Sequence, residues 1–189
     1  TSEAARNDVQ QWRARSCAIL TGVGTINQDN PLLNVRNLAE NDQPFRVIAD
    51  TNLSIDLKSQ ILKQKNIMLA YSNDPNSKAK HLESKGVRLV NIASKDNKVD
   101  LLLLMKRLAT YEFNEVLVES GPTLNGQLLE LGLIDELVIY QAPIIMGGNA
   151  NPLFHNPIFE SMEHRITLKQ KDIRQFGDDL RLIMQVNKS

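Results

Sequence analysis

The chain has 189 residues, and its 42% hydrophobic and 23% charged residues are typical of one globular domain rather than of extended disorder. Its 22 basic residues balance its 22 acidic ones, which excludes a global positive field that would attract nucleic acid or an anionic membrane. The longest apolar run, Leu101–Met105, is too short to span a bilayer. We therefore expect a single domain covering residues 1–189, in which any anion site is local.

Cys17 is the only cysteine, so the chain has neither an internal disulfide nor a cysteine cluster for a metal. Its place in the apolar run Cys17–Leu20 favours a small core residue over a nucleophile. The three histidines lack the spacing of metal ligands, and we expect no metal site. The sparing use of cysteine and the lack of a charged-then-apolar leader favour a reducing cytoplasm.

Strand-like and helical runs alternate almost to the end of the chain, which predicts an α/β fold with several parallel strands. A first helix is expected to start at Thr1-Ser2-Glu3, with the core-facing positions Ala5, Val9, Trp12 and Ser16. The next predicted strands are Cys17–Leu20, Phe45–Asp50, Asn66–Tyr71 and Val87–Ile92, and the next predicted helices are Ser77–Lys85 and Val99–Thr110.

The alternation continues past Glu115 and changes only at the C-terminal end of the chain. Glu115–Glu119 has the clearest pattern of a buried strand and leads into Ser120-Gly121-Pro122, where proline suits the first position of a helix that ends near Gly132. Glu136–Gln141 is a further predicted strand. Two long strand-like runs, residues 164–174 and 179–186, flank a turn at residues 175–178. This hairpin is antiparallel, so we expect a mixed sheet.

Three segments that follow predicted strands contain glycine: Thr21–Thr25, Glu119–Gly126 and Ile145–Asn149. Ligands of open α/β sheets bind beyond the carboxyl ends of strands, where glycine lets backbone N–H groups approach a phosphate. The second segment is the best candidate because its strand leads directly to a helix N-terminus, where free N–H groups favour a pyrophosphate. Taken singly, each segment is better explained as a tight turn.

Five other residues have two interpretations from spacing alone. Gly22 and Gly24 begin a G-x-G-x-x-G pattern, but Asn27 stands where the third glycine belongs. Asp50 ends a predicted strand and is better explained as a turn residue, because Thr51-Asn52 follow it. Arg13 and Arg36 have the pattern of exposed arginines, although an arginine beside a strand-end cleft can also grip a phosphate.

A series of motifs in the same order resembles the reductase domain of the bifunctional riboflavin-biosynthesis deaminase/reductase family. The motifs are Thr1–Arg6 with Trp12–Ser16, Ala18–Thr25, Asp29–Leu33 and Val118–Leu124, followed by Asp135–Leu137, Ala142-Pro143 and Gly147-Gly148. They cover nearly the whole chain, which makes the resemblance far more specific than any single glycine pair.

The resemblance implies a dihydrofolate-reductase-like fold, a three-layer α/β/α arrangement with a mixed, mostly parallel sheet. It also implies an NADPH-dependent oxidoreductase, expected as a homodimer, that reduces the ribose of 5-amino-6-(5-phosphoribosylamino)uracil to the ribitylamino product. Arg13 and Arg36 would hold the substrate phosphate, with Leu33 beside it and Glu119 facing the substrate. The implied cofactor contacts are Thr25, Asp29, Thr51, Gly121, Pro122, Thr123, Leu124, Asn125, Gly126 and Gln127.

The chain departs from the family pattern at its start. The family's reductase domain begins with a strand that carries a lysine, and Thr1 corresponds to the end of that stretch, so the catalytic lysine is expected upstream. The family also has a fused N-terminal deaminase domain, but this chain lacks the Pro-Cys-x-x-Cys motif of such a domain, and no zinc is expected.

Two alternatives remain open. The chain could be a non-catalytic nucleotide-binding or dimerisation module of the same fold. It could also be a Rossmann-type NAD(P) dehydrogenase that uses Gly22, Gly24 and Asp50, although the terminal hairpin and the absent third glycine count against this.

Overall fold

The computed structural model describes residues 1–93, 96–148, 150–155, 163 and 165–187. Their contacts divide the chain into two compact units. The central unit comprises Trp12–Gly121, and the terminal unit comprises Thr1–Gln11 together with Pro122–Ser189. The predicted strand at Glu136–Gln141 and the predicted hairpin both belong to the terminal unit.

The central unit contains a parallel five-stranded sheet in the order β4-β3-β2-β1-β5. Its strands are β1 (Ala18–Gly22), β2 (Phe45–Ala49), β3 (Ile67–Tyr71), β4 (Arg88–Asn91) and β5 (Val116–Val118). Successive residues such as Ile19 and Leu20, or Val47 and Ile48, are fully buried although their side chains point to opposite faces. Both faces of these strands are therefore covered, which explains their continuous apolar runs.

The helices are α1 (Glu3–Arg15), α2 (Val23–Asp29), α3 (Ala79–Ser84), α4 (Leu101–Ala109) and α5 (Pro122–Glu130), with short 3₁₀ helices at Glu40–Asp42 and Gln60–Lys63. The Asp100 side chain caps α4 by accepting a hydrogen bond from the Leu103 N–H at 2.8 Å. Helix α2 stands where the sequence predicted a turn. It starts at once after β1 and ends at Asn30, which adopts the left-handed conformation.

The sequence predicted β5 to be the most clearly buried strand, but Val116, Leu117 and Val118 are only half-buried. The reason is its place in the sheet. Among the described strands it pairs with β1 alone and forms one edge, and edge position depends on strand order rather than on local sequence.

The terminal unit contains an antiparallel sheet in the order β6-β8-β7, with strands β6 (Glu136–Gln141), β7 (Leu168–Phe176) and β8 (Asp179–Val186). The predicted hairpin is confirmed, and Gly177 at φ +63° forms its turn. The parallel and antiparallel strands thus form two hydrogen-bonded sheets, whereas the sequence predicted one mixed sheet. The first strand of the predicted hairpin starts at His164, which lies outside the described residues, whereas β7 starts at Leu168.

One face of this antiparallel sheet carries a buried ionic cluster centred on Arg181. The Arg181 guanidinium donates hydrogen bonds to Asp8 on α1 and to Asp172 on β7, each at 2.8 Å. Burial alone would lower the pKa of Arg181, but its bonds to the two carboxylates raise it above the usual value. The hydrogen bond from Arg181 holds the pKa of Asp172 below its usual value. The cluster ties the start of α1 to the sheet.

The opposite face of the same sheet carries no charged side chain. The strand register places these residues on it: Leu137, Ile139 and Gln141 of β6, Leu168, Gln170, Ile173 and Gln175 of β7, and Leu180, Leu182, Met184 and Val186 of β8. Three of them, Leu168, Ile173 and Leu180, are 40–45% exposed. We call this set of residues the uncharged face.

Candidate active site

An open pocket of about 430 Å³ lies in the central unit, at the carboxyl ends of β1 and β5. This is where open α/β sheets bind ligands, because the loops that leave adjacent strands diverge there. Its lining residues are Arg13, Thr25, Asp29, Pro31, Leu33, Glu119, Ser120 and Gly121. Six of the predicted site residues therefore meet at one pocket, although they come from three separate stretches of sequence.

A two-bond ion pair between Arg13 and Glu119 forms one wall of the pocket. Arg13 Nε donates to Glu119 Oε1 and Arg13 Nη2 donates to Glu119 Oε2, both at 2.7 Å. The third guanidinium nitrogen, Nη1, donates to the backbone carbonyl of Asn34 at 2.9 Å. These three bonds fix both the position and the plane of the guanidinium, which a single ionic contact would not do.

Glu119 is positioned by the sheet itself. Its backbone N–H donates to the Leu20 carbonyl at 3.0 Å, which continues the pairing of β5 with β1 past the last residue of the strand. Its side chain is 24% exposed, and that of Arg13 is 17% exposed. The pair is thus partly shielded from water yet still reachable from the pocket.

Thr25 and Gly121 lie side by side in the pocket. A Cβ atom built on Gly121 would stand 3.8 Å from Thr25 Oγ1, an ordinary van der Waals contact. The protein itself therefore tolerates a small side chain at Gly121, and glycine leaves open a gap that a Cβ would fill. A ligand group in that gap would contact both the backbone at residue 121 and the Thr25 hydroxyl.

The segment from Asp29 to Leu33 forms another part of the lining. Asn30 at φ +46° and Leu33 at φ +49° both adopt the left-handed conformation, which costs a non-glycine residue about 1 kcal/mol. The Asn30 side chain accepts a hydrogen bond from the Gln60 N–H at 2.8 Å, and Leu33 is buried in the hydrophobic core of this unit. These anchors hold the loop in its strained path, and strain of this kind is often found at functional sites.

Arg36 and Thr51 do not line this pocket. Arg36 is exposed, and it follows the loop that contains Leu33. The Thr51 carbonyl accepts hydrogen bonds from the backbone N–H groups of Ser72 and Asn73, so that residue joins the loops after β2 and β3. The roles predicted for Arg36 and Thr51 stay predictions.

The residues Pro122 to Gln127 form the start of α5, in the terminal unit. Leu124 and Gly126 are buried, and Thr123 and Gln127 are exposed. Backbone atoms of a nearby segment contact this helix start: the His155 N–H donates to the Pro122 carbonyl at 2.9 Å, and the Asn125 side chain donates to the Leu153 carbonyl at 3.1 Å. The pyrophosphate role predicted for these residues is not tested by this geometry.

Asp50 is a turn residue, as the sequence favoured. Its fully buried carboxylate accepts hydrogen bonds from the Ser54 N–H and hydroxyl and from the Ile55 N–H, at 2.8 to 2.9 Å. These bonds hold a loop in which Leu53 adopts φ +47°. Both carboxylate oxygens are engaged, so Asp50 is poorly placed to bind a ribose, as the Rossmann alternative requires.

Sequence reasoning missed the contributions of Pro31, Asn34 and Ser120 to this site. Pro31 stood only within the family motif Asp29–Leu33 and had no role of its own there. Asn34 acts through its carbonyl, and backbone atoms leave no mark in residue type. Among the described residues, no group of histidine, cysteine and acidic side chains is arranged to hold a metal ion. Within the same residues, none of the helices has the length and hydropathy needed to cross a bilayer.

Comparison with known proteins defines the class first. The fold is that of the dihydrofolate-reductase-like reductase domains: a solved structure of Acinetobacter baumannii RibD matches with a TM-score of 0.85 and 34% identity, over 99% of this chain and 51% of that one. A family model described as the RibD C-terminal domain matches residues 1–182. The chain belongs to the RibD C-terminal domain family, which confirms the resemblance seen in its motifs.

Two relatives from Buchnera aphidicola illustrate the range of lengths in this family. A riboflavin biosynthesis protein RibD is 36% identical over 100% of this chain but only 54% of the relative. A protein named 5-amino-6-(5-phosphoribosylamino)uracil reductase is also 36% identical, over 100% of this chain and 95% of the relative. The chain thus spans about half the length of its RibD relatives and nearly the whole of the shorter reductase.

Proposed function

We propose that this chain is an NADPH-dependent reductase of riboflavin biosynthesis that converts the ribose of 5-amino-6-(5-phosphoribosylamino)uracil to the ribityl chain. The observation that carries the proposal is the pocket at the ends of β1 and β5, where Arg13, Glu119, Thr25 and Gly121 meet. Membership of the RibD C-terminal domain family and the similar Buchnera reductase support the same reaction.

The Arg13–Glu119 pair is suited to orienting a polyhydroxylated substrate. Arginine has five N–H donors, and Glu119 and Asn34 engage three of them, which leaves two that can face a ligand. The Glu119 carboxylate accepts hydrogen bonds from sugar hydroxyls. Because Glu119 neutralises Arg13, the pair contributes orientation more than net attraction for a phosphate. Arg36, exposed beside the Leu33 loop, supplies the positive charge in this account.

The other side of the pocket suits the polar part of a nicotinamide dinucleotide. The gap between Gly121 and the Thr25 hydroxyl admits a ligand group, and Asp29 offers an acceptor nearby. When bound there, NADPH would supply the hydride that reduces C1′ of the opened ribose. Thr51 and the residues from Pro122 to Gln127 complete the cofactor contacts in this proposal. The chain's own residues act by holding both ligands in a reactive arrangement.

An isotope experiment tests the reaction directly. NADPH carrying deuterium at both hydrogen positions of nicotinamide C4 is incubated with the protein and the phosphorylated substrate, and the product is examined by mass spectrometry and NMR. We expect one deuterium at C1′ of the ribityl chain. Product without the label, or label at another carbon, would contradict hydride transfer from the cofactor to C1′.

We also propose that the protein acts in the cytoplasm as a homodimer and that it is joined to an N-terminal deaminase domain, as in its bifunctional relatives. The uncharged face of the antiparallel sheet supports the dimer. A two-fold interface brings residues near the axis into contact with their own copies, so charge there would repel itself. Leucine, isoleucine and methionine surrounded by glutamine avoid this penalty.

The dimer proposal has a matched pair of variants. Leu180→Lys places a charge on the uncharged face, whereas Gln185→Lys places one on an exposed site of the other face. We expect light scattering to show a monomer for Leu180→Lys and a dimer for the unmodified protein and for Gln185→Lys. A dimer that persists in Leu180→Lys would exclude this face as the interface.

A further inference from the structure

We propose that Gln43 is a positioning residue that fixes the Arg13–Glu119 wall of the pocket by clamping the backbone N–H and C=O of Val35. Nothing in the sequence pattern or in the family resemblance singles out this residue. The clamp itself is a feature of the central unit, and its effect on substrate kinetics rests on the proposed function.

Gln43 is buried, with 6% of its surface exposed, and it follows directly on the 3₁₀ helix Glu40–Asp42. The Val35 N–H donates to Gln43 Oε1 at 2.7 Å, and Gln43 Nε2 donates back to the Val35 carbonyl at 2.8 Å. The same Nε2 donates to the Leu38 carbonyl at 3.0 Å. The side-chain amide thus pairs with Val35 in both directions, as a neighbouring strand would.

The clamp is needed because residues 30–39 form neither helix nor strand, yet Val35 is buried. Buried backbone N–H and C=O groups require partners, and this loop has no strand ladder to provide them at Val35. A primary amide is the one side-chain group that is both donor and acceptor in the required geometry. Glutamate would lose the donor at this position, and methionine would lose both functions.

One peptide group connects the clamp to the pocket. In a trans peptide the N–H and the preceding carbonyl point in opposite directions. The N–H of Val35 points to Gln43, so the carbonyl of Asn34 in the same rigid plane points away from it, where it accepts the bond from Arg13 Nη1 at 2.9 Å. A rotation that breaks the bond to Gln43 therefore misaligns the bond to Arg13 as well.

Losing the clamp would affect both arginines that are predicted to bind the substrate phosphate. Arg13 is bound on its other edge by Glu119, so losing the Asn34 carbonyl removes one of the three bonds that set its plane. Arg36 is the residue directly after Val35, so the clamp on Val35 also fixes the backbone from which the Arg36 side chain extends. Gln43 thus holds the backbone between Asn34 and Arg36, although it does not line the pocket.

The test compares Gln43→Met, which keeps the side-chain volume, with Leu62→Val, which shortens a buried core side chain of the same unit outside the pocket. Two readouts are used. The first is the NMR signal of the Arg13 Nε–H, identified by its loss in Arg13→Lys, which reports the guanidinium environment without any turnover. The second is steady-state kinetics with the phosphorylated substrate and NADPH.

We expect Gln43→Met to shift or broaden the Arg13 Nε–H signal and to raise the substrate KM about tenfold, with the NADPH KM within about twofold of the unmodified value. Leu62→Val lowers stability but leaves the Arg13 signal and the substrate KM unchanged. An unchanged Arg13 signal in Gln43→Met, or the same change in Leu62→Val, would overturn the positioning role.

Gln43→Glu decides the matter if Gln43→Met does not fold. It replaces the donor to the Val35 and Leu38 carbonyls by a carboxylate oxygen, and repulsion between these oxygens displaces the side chain and with it the bond from the Val35 N–H. A shifted Arg13 Nε–H signal together with a raised substrate KM supports the clamp. An Arg13 signal and a substrate KM that both equal those of the unmodified protein refute it. The NMR result stands even if no reductase turnover is found, so failure of the proposed function and failure of this inference are distinguishable.

Discussion

Replacing Asp50 by alanine separates a structural role from a cofactor-binding role at the end of β2. The buried carboxylate accepts three hydrogen bonds, two from Ser54 and one from the Ile55 N–H, and it shapes the loop in which Leu53 adopts a left-handed conformation. In a Rossmann-type enzyme an acidic residue at this position would bind the ribose of the cofactor. We expect Asp50→Ala to lower stability without selectively weakening NADPH binding.

The size of the effect follows from which donors lose their partner. Hydrogen bonds to a charged group contribute about 1.5–3 kcal/mol each, but they are not additive. Ser54 is exposed and regains water, whereas Ile55 is fully buried, so its N–H stays unsatisfied. We therefore expect Asp50→Ala to lower the free energy of unfolding by about 3 kcal/mol. For a chain of 189 residues this corresponds to a Tm lower by about 6–12 °C.

The assay combines thermal unfolding with NADPH titration at a temperature where every variant is folded. Asp56→Ala is the matched control, because Asp56 is an exposed acidic residue of the same loop whose side chain accepts a local bond from the Lys58 N–H. We expect Asp56→Ala to lower the free energy of unfolding by less than about 1 kcal/mol. An unchanged Tm in Asp50→Ala together with a several-fold weaker affinity for NADPH would refute this reasoning and restore the Rossmann alternative.

Three further changes probe other parts of the account. Arg36→Ala should raise the KM for the phosphorylated substrate at least about tenfold and leave the NADPH KM nearly unchanged, and equal losses for both ligands would refute the phosphate role. Gly121→Val should weaken NADPH binding because its side chain fills the gap beside Thr25, and normal binding would place the cofactor elsewhere. The hydrogen bond from Arg181 is the chief reason that the pKa of Asp172 is lower in the folded state than in the unfolded state. The ionised Asp172 therefore stabilises the fold fully at a pH above its unfolded pKa of about 3.8, and this stabilisation is lost as the pH falls through its folded pKa. Asp172→Asn should therefore flatten the acid limb of the stability–pH curve, and a limb of unchanged steepness would contradict this.

Much of the fold was predictable because its signals are local. Continuous apolar runs such as those around Ile19 and Val47 occur in parallel strands that are covered on both faces. The turn at Gly177 marks the terminal hairpin in the same way. Helix α2 was missed because Gly22 and Gly24 suggest a turn, and its end depends on the left-handed conformation of Asn30.

The site was predictable only in part because its key contacts join distant parts of the chain. Arg13 and Glu119 are 106 positions apart, and no local pattern pairs them, so their roles came from the family motifs. The Gln43 clamp acts on backbone atoms of Val35, which residue type does not reveal. The family motifs identified six of the residues that line the pocket, and the structure added the bonds that orient them.

The most direct test of the central claim is NADPH oxidation by the full-length protein that carries this chain. The assay compares 5-amino-6-(5-phosphoribosylamino)uracil with its dephosphorylated form. We predict turnover with the phosphorylated substrate and a large loss of kcat/KM without the phosphate, because arginine recognition of the phosphate orients the sugar. Binding of NADPH without turnover, or equal rates with both compounds, would contradict the account.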